Sequence, residues 1–173
     1  MMTKEELETT LFSRRMLVYS VIDGAAIPEF RMKAFEMRPP NYCLIPGELT
    51  PDMEEVAPYV VQLIPGTPFT DWLLSDFLGK NKGIFVHCPQ SIKEMRRHFR
   101  ALFKVYTENG DPLIFRFYDP RVFRRFLPTC NTGELKTFFG NVDTFFVEGE
   151  NGDLEKYDIN NEQLRRKKVG TKE

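Results

Sequence analysis

Three short runs constrain this chain more than anything else in it: LVYSVID at 17–23, YVVQLI at 59–64 and GIFVHC at 83–88. Each is apolar almost without a break, and each meets a turn signal at once: Gly24, then Pro65-Gly66, then Pro89. A strand with one solvated face alternates apolar and polar residues. A run without alternation suits a strand covered on both faces, and something must supply both covers.

The stretches between the runs have helical character. Thr3-Lys4-Glu5-Glu6 and Ser91-Ile92-Lys93-Glu94 are capping boxes, in which the N-cap hydroxyl and the Glu three residues later satisfy orphan N–H groups reciprocally. They predict helices near 4–13 and from Ile92 to Phe103, the second carrying Ile92, Met95, Phe99, Leu102 and Phe103 as an apolar stripe. Phe69, Trp72, Leu73 and Phe77 share a helical face that Gly79 ends. Residues 25–58 are broken by prolines and predict loop with short helices near 28–37 and 51–56. Asn109-Gly110-Asp111 turns the chain into LIFRFY, 113–118, which predicts a fourth strand. Two alternating runs around Asn151-Gly152 predict a closing hairpin. The expected fold is α/β: a mixed sheet flanked by helices with a C-terminal antiparallel hairpin. One domain is expected over 1–160, and Arg165-Arg166-Lys167-Lys168 then reads as part of a solvated basic tail, 161–173.

Composition narrows the function. With 24 basic and 25 acidic residues the formal charge is −1, so no global field favours nucleic acid. No run approaches a membrane span, and the charged N-terminus lacks the apolar core of a secretory signal, so a cytoplasmic protein is expected. Three cysteines at wide spacing, Cys43, Cys88 and Cys130, predict free thiols rather than a disulfide framework or a metal site. Sixteen Phe, six Tyr and one Trp supply either a large core or an apolar surface for a partner.

Catalytic motifs fail one by one. Cys88 follows a strand and precedes a helix start, as in cysteine phosphatases. However, Glu94 stands where the anion-binding arginine belongs, and the first arginine, Arg96, comes two positions late. His87 and His98, eleven apart and without a Glu at metalloprotease spacing, do not make a zinc site. P-loop, dinucleotide and nucleophile-elbow patterns are missing. No cofactor and no metal is expected. The one constellation left for chemistry is a pair of strand-end carboxylates, Asp23 and Asp119, as acid and base. A phosphoester hydrolase using them, or Cys88, is the alternative function.

Asp119 has a plainer role as well. Asp at N-cap with Pro120 at N1 starts a helix, its carboxylate accepting the N–H of Val122 or Phe123. Arg116 interrupts an apolar run and calls for a carboxylate partner, Asp23 or Asp119. Arg121, Arg124 and Arg125 recur on the following helix among Val122, Phe123 and Phe126. Exposed aromatics beside arginines have the composition of a protein-binding surface; a solvated basic face over a core stripe has the same sequence.

LVYSVIDGA, APYVVQL, GIFVHCPQSIKEMRRHFRALFKV, LIFRFYDPRVFRRFLP and FFGNVDTFFVE, spread over residues 15–148, resemble in order the domain-of-unknown-function family 4123. FRFYDPR with the downstream FFG is the most specific part. The resemblance implies an adaptor, or effector chaperone, of the bacterial type VI secretion system. Such adaptors are encoded beside a valine-glycine-repeat spike protein and a toxic effector, and help load the effector onto the spike. It implies a binding protein without catalysis or cofactor, whose partners are effector and spike rather than nucleic acid or membrane. The matching motif positions are Asp23, Arg116, Tyr118, Asp119, Pro120 and Arg121. With Phe123, all but the proline are the expected partner-binding residues. Many such adaptors continue into a largely helical lobe, for which this sequence has no counterpart after the hairpin.

Overall fold

The computed structural model describes residues 2–170. Its elements in chain order begin with α1 (Lys4–Leu11), β1 (Leu17–Asp23), α2 (Phe30–Met37), β2 (Asn41–Cys43), α3 (Pro51–Val56), β3 (Pro58–Leu63) and α4 (Pro68–Ser75). Then follow β4 (Gly83–Cys88), α5 (Ile92–Phe103), β5 (Lys104–Tyr106), β6 (Pro112–Ile114), α6 (Pro120–Phe126), α7 (Thr132–Phe139), β7 (Thr144–Glu148), β8 (Leu154–Asn160) and β9 (Gln163–Val169). None of the helices among the described residues is long and apolar enough to cross a membrane.

Seven strands form one sheet in the order β2-β3-β1-β4-β7-β8-β9. The apolar runs lie side by side at its centre, and both faces are covered as their composition requires. Tyr19, Val21, Ile84, Val86, Phe145 and Val147 point to a core shared with α5, α6 and α7. The alternate residues Val18, Ile22, Phe85 and Phe146 point to a second core closed by α1, α2 and α4. The α/β architecture, the flanking helices and the C-terminal hairpin are as the sequence predicts.

The expected mixture of strand directions is corrected in one respect. Every pairing in this sheet is antiparallel. β3 and β4 do run the same way, joined through α4, but β1 lies between them and pairs with both. The helical crossover that normally builds a parallel pair here spans an intervening antiparallel strand, so the helix–strand alternation survives without a parallel ladder.

Two further expectations are corrected. LIFRFY is not a buried fourth strand. Only its first two residues, with Pro112, pair, and they pair with β5 in a separate two-stranded ribbon. Leu113 and Ile114 are exposed, and the chain leaves the ladder at Phe115, whose N–H donates to the Phe103 carbonyl. The basic run is not a solvated tail. Gln163–Val169 is the edge strand β9, and its cations pair with acids on β8 or just before it: Arg165 with Asp158, Arg166 with Glu155 and Lys168 with Asp153. Asn161 and Glu162, both at positive φ, make the tight turn between the strands. α7 and β2 have no counterpart in the sequence reading, although Asn131 and Glu134 form a complete capping box at the start of α7.

Candidate functional site

The DG and DPR signatures come together through Arg116. β1 ends at Asp23, whose Oδ1 accepts the N–H of Ala25 at 3.1 Å and caps a 3-10 turn. Gly24 is required there, because a Cβ would collide with the Ala57 carbonyl oxygen, to which the Gly24 N–H donates at 3.1 Å. The segment 115–118, which belongs to no strand, brings Arg116 to this strand end. The Asp119 N–H donates to the Arg116 carbonyl at 3.1 Å, and this tight turn delivers the chain into α6.

Two ion pairs result. Arg116 Nη2 donates to Asp23 Oδ2 at 2.5 Å, and its guanidinium carbon lies 5.8 Å from the centre of the Tyr118 ring. Arg121 grips Asp119 as a fork, Nε to Oδ1 at 3.0 Å and Nη2 to Oδ2 at 2.8 Å, while its backbone N–H donates to Oδ1 at 2.9 Å. The cap expected of Asp119 is present, with its acceptor one residue nearer: the N–H captured is that of Arg121, not Val122 or Phe123. Proline at N1 holds no N–H, so the next one, at N2, is the first within reach.

Burial sorts the groups by role. The carboxylate side chains are 8% and 6% exposed, whereas Arg116 and Arg121 are 47% and 63% exposed. The acids face inward and are each neutralised; the cations face out with donors to spare. Burial pushes the Asp119 carboxyl up, but the Arg121 side-chain and backbone hydrogen bonds outweigh it and hold it below the usual aspartate value. Burial and the Asp23 charge raise the Tyr118 phenol. Two carboxylates each locked to an arginine are poorly disposed to share a proton or a metal ion. Among the described residues no three His, Cys, Asp or Glu side chains converge as metal ligands.

Other sequence-singled residues lie elsewhere. Phe123 is fully buried, with ring centroids 5.2–5.6 Å from Tyr157, Phe145 and Phe138. It therefore holds α6 to the sheet and offers no surface to a partner, which corrects its expected contact role. Tyr118 is nearly as enclosed, so only Arg116 and Arg121 of the expected set project outward. Cys88 is buried, its Sγ donating to the Asn141 carbonyl at 3.2 Å, and burial pushes its thiol up, the direction opposite to an activated nucleophile. His87 Nε2 meets the Leu11 carbonyl at 2.7 Å. His98 is half-buried, its Nε2 2.9 Å from the Phe138 carbonyl. Its ring fills the space above Gly140, so the FFG glycine is needed both for its positive φ and for this packing.

The model of the family described as Domain of unknown function (DUF4123) matches residues 18–137. The chain belongs to the DUF4123 family. Neither the curated proteins nor the solved structures contain a match to it. The DUF4123 match takes in both ion pairs and runs from β1 into α7, so β7, β8 and β9 complete the sheet from beyond it. One surface feature inside the match has no counterpart in the expected site. The β5–β6 ribbon exposes Val105, Tyr106, Leu113 and Ile114 together, Ile114 at 75%. Its signal was the apolar content of LIFRFY, which reads equally as buried strand.

Proposed function

We propose that the protein is an effector adaptor of a type VI secretion system, which binds a toxic effector non-covalently in the cytoplasm and helps load it onto the valine-glycine-repeat spike. The observation that carries this reading is the DUF4123 match over residues 18–137, which includes the FRFYDPR corner. The disposition of that corner supports a gripping role. Its acids are consumed in holding strand end to helix start, and its arginines are left outward. The exposed apolar ribbon beside the same segment adds area of the kind that protein interfaces bury. Arg116, Arg121 and the ribbon are the proposed contacts.

Co-expression with the effector and spike encoded beside its own gene tests the reading. The expected result is co-elution of a complex in size-exclusion chromatography at micromolar concentration. Separate elution of the protein from both products would refute it.

A further inference from the structure

On the far side of the Asp119–Arg121 pair, α6 and the C-terminal strands enclose a groove of about 430 Å³. Arg121, Arg124 and Arg125 line it from α6, and Arg166 from β9, against the carboxylates of Asp119 and Glu150. Three of the arginines are tethered. Arg121 holds Asp119, Arg124 donates to the Glu148 carbonyl, and Arg166 donates to Glu155 through Nε and Nη2. A guanidinium has five N–H donors, and each tether uses only one or two of them at the side chain. Arg125 is exposed, and its side chain makes no hydrogen bond or ion pair among the described residues. Glu155, buried beneath Arg166, adds one more acid, and the balance of the groove stays positive.

We propose that this groove binds an acidic segment of a partner protein, one that sets Asp or Glu side chains among apolar residues. Planar guanidinium forks match carboxylates in pairs, and the tethered ones are already oriented for it. Val122 gives the groove an apolar wall for the residues between the acids. A nucleic-acid backbone fits less well. Glu150 and Asp119 would face its unbroken row of phosphates, and the protein's charge of −1 supplies no attracting field. The identity of the partner as effector or spike rests on the adaptor reading; the chemistry of the groove does not.

The probe is a short fluorescein-labelled peptide with several glutamates among Leu and Ala, added to the intact protein and followed by anisotropy. Its glutamine twin and an oligothymidine of equal length are the competitors. Saturable binding of the glutamate peptide is expected, with the twin and the oligothymidine weaker by about tenfold or more. Arg125→Glu should weaken it by a similar factor at unchanged melting temperature, and Glu150→Gln, which removes an opposing charge, should tighten it. Equal binding of the twin, tighter binding of the oligothymidine, or indifference to both substitutions would overturn the proposal. The two readings separate cleanly. If the Arg125→Glu protein still co-elutes with the effector and spike as the wild type does, the groove is not used and the adaptor reading stands. If neither product co-elutes with the wild type while the peptide binds through Arg125, the groove stands and the adaptor reading falls.

Discussion

Asp119 does two jobs that substitution can separate. It caps α6 through the Arg121 N–H, and it anchors the Arg121 guanidinium through both oxygens. Removing an N-cap side chain costs about 1 kcal/mol. The fork is charge-assisted, but Arg121 is 63% exposed, so solvent reduces its worth to about 0.5–1 kcal/mol. Asp119→Ala loses both, about 2 kcal/mol together. Asp119→Asn keeps a cap acceptor of equal quality and loses only the charge, about 0.5–1 kcal/mol. Urea unfolding followed by circular dichroism should therefore rank wild type, Asn and Ala in that order, with the same slope and falling midpoints. Asp119 also carries a pH signature. Its folded-state pKa lies below the unfolded value, so between the two the unfolded chain binds the extra proton and stability rises with pH. The advantage of wild type over Asn is full above the unfolded value of about 4 and is lost as pH falls through the folded-state pKa. Equal damage from Asn and Ala would show that the charge, not the cap, holds the corner. A wild-type advantage that persisted below the folded-state pKa would refute the electrostatic half.

Arg116→Ala leaves the enclosed Asp23 carboxylate without its ion partner. With Arg116 itself half exposed, the expected cost is about 1–2 kcal/mol in the urea midpoint, partly restored in Arg116→Lys. Phe123→Ala should cost about 3–5 kcal/mol, because the ring is wholly enclosed; a cost below 1 kcal/mol would mean that α6 is not held by it. Ile114→Asp should shift stability by no more than about 0.5 kcal/mol and reduce co-elution with the effector, and unchanged co-elution would remove the ribbon from the interface. Deleting residues 163–173 strips β9 from β8 and exposes that strand's edge, so lowered melting temperature and aggregation are expected, whereas loss of a solvated tail would change neither.

The parts of the fold legible in the sequence are those where one local signal had one physical meaning. LVYSVID, YVVQLI and GIFVHC could satisfy their composition only as doubly covered strands, and Ser91 with Glu94 could hardly be other than a helix start. What stayed hidden depended on partners distant in sequence. Continuous apolar runs with helices between them suggest parallel pairing, and nothing local reveals that β1 sits between β3 and β4. LIFRFY has a strand's composition, but its last four residues join no ladder, and only the tertiary packing that buries Phe117 and Tyr118 decides that. QLRRKKV hides its strand behind charge. The clue was the matching acids of LEKYDIN across a short polar turn, which make the two segments a charge-paired hairpin. At the site, the Asp-Pro helix start was local and legible. The choice of Asp23 for Arg116 was one of two open pairings, and the Arg121 fork onto a residue two positions earlier depends on the cap geometry itself.

The corner also explains why one short motif can serve both stability and recognition. A long cation that docks on a partner loses rotamer freedom, about 0.5–1.5 kcal/mol for each side chain immobilised. Arg116 and Arg121 have lost most of that freedom already, because buried Asp23 and Asp119 hold their guanidinium groups at fixed positions. For the adaptor proposed above, two such arginines lower the ordering cost of binding by about 1–3 kcal/mol relative to free surface cations. Folding bears that cost instead, offset there by the cap and the two ion pairs. The same reasoning separates this corner from Arg125, whose side chain has no tether and must be ordered when a partner arrives. Substituting the tethered arginines should therefore act on both melting temperature and affinity, and substituting Arg125 on affinity alone.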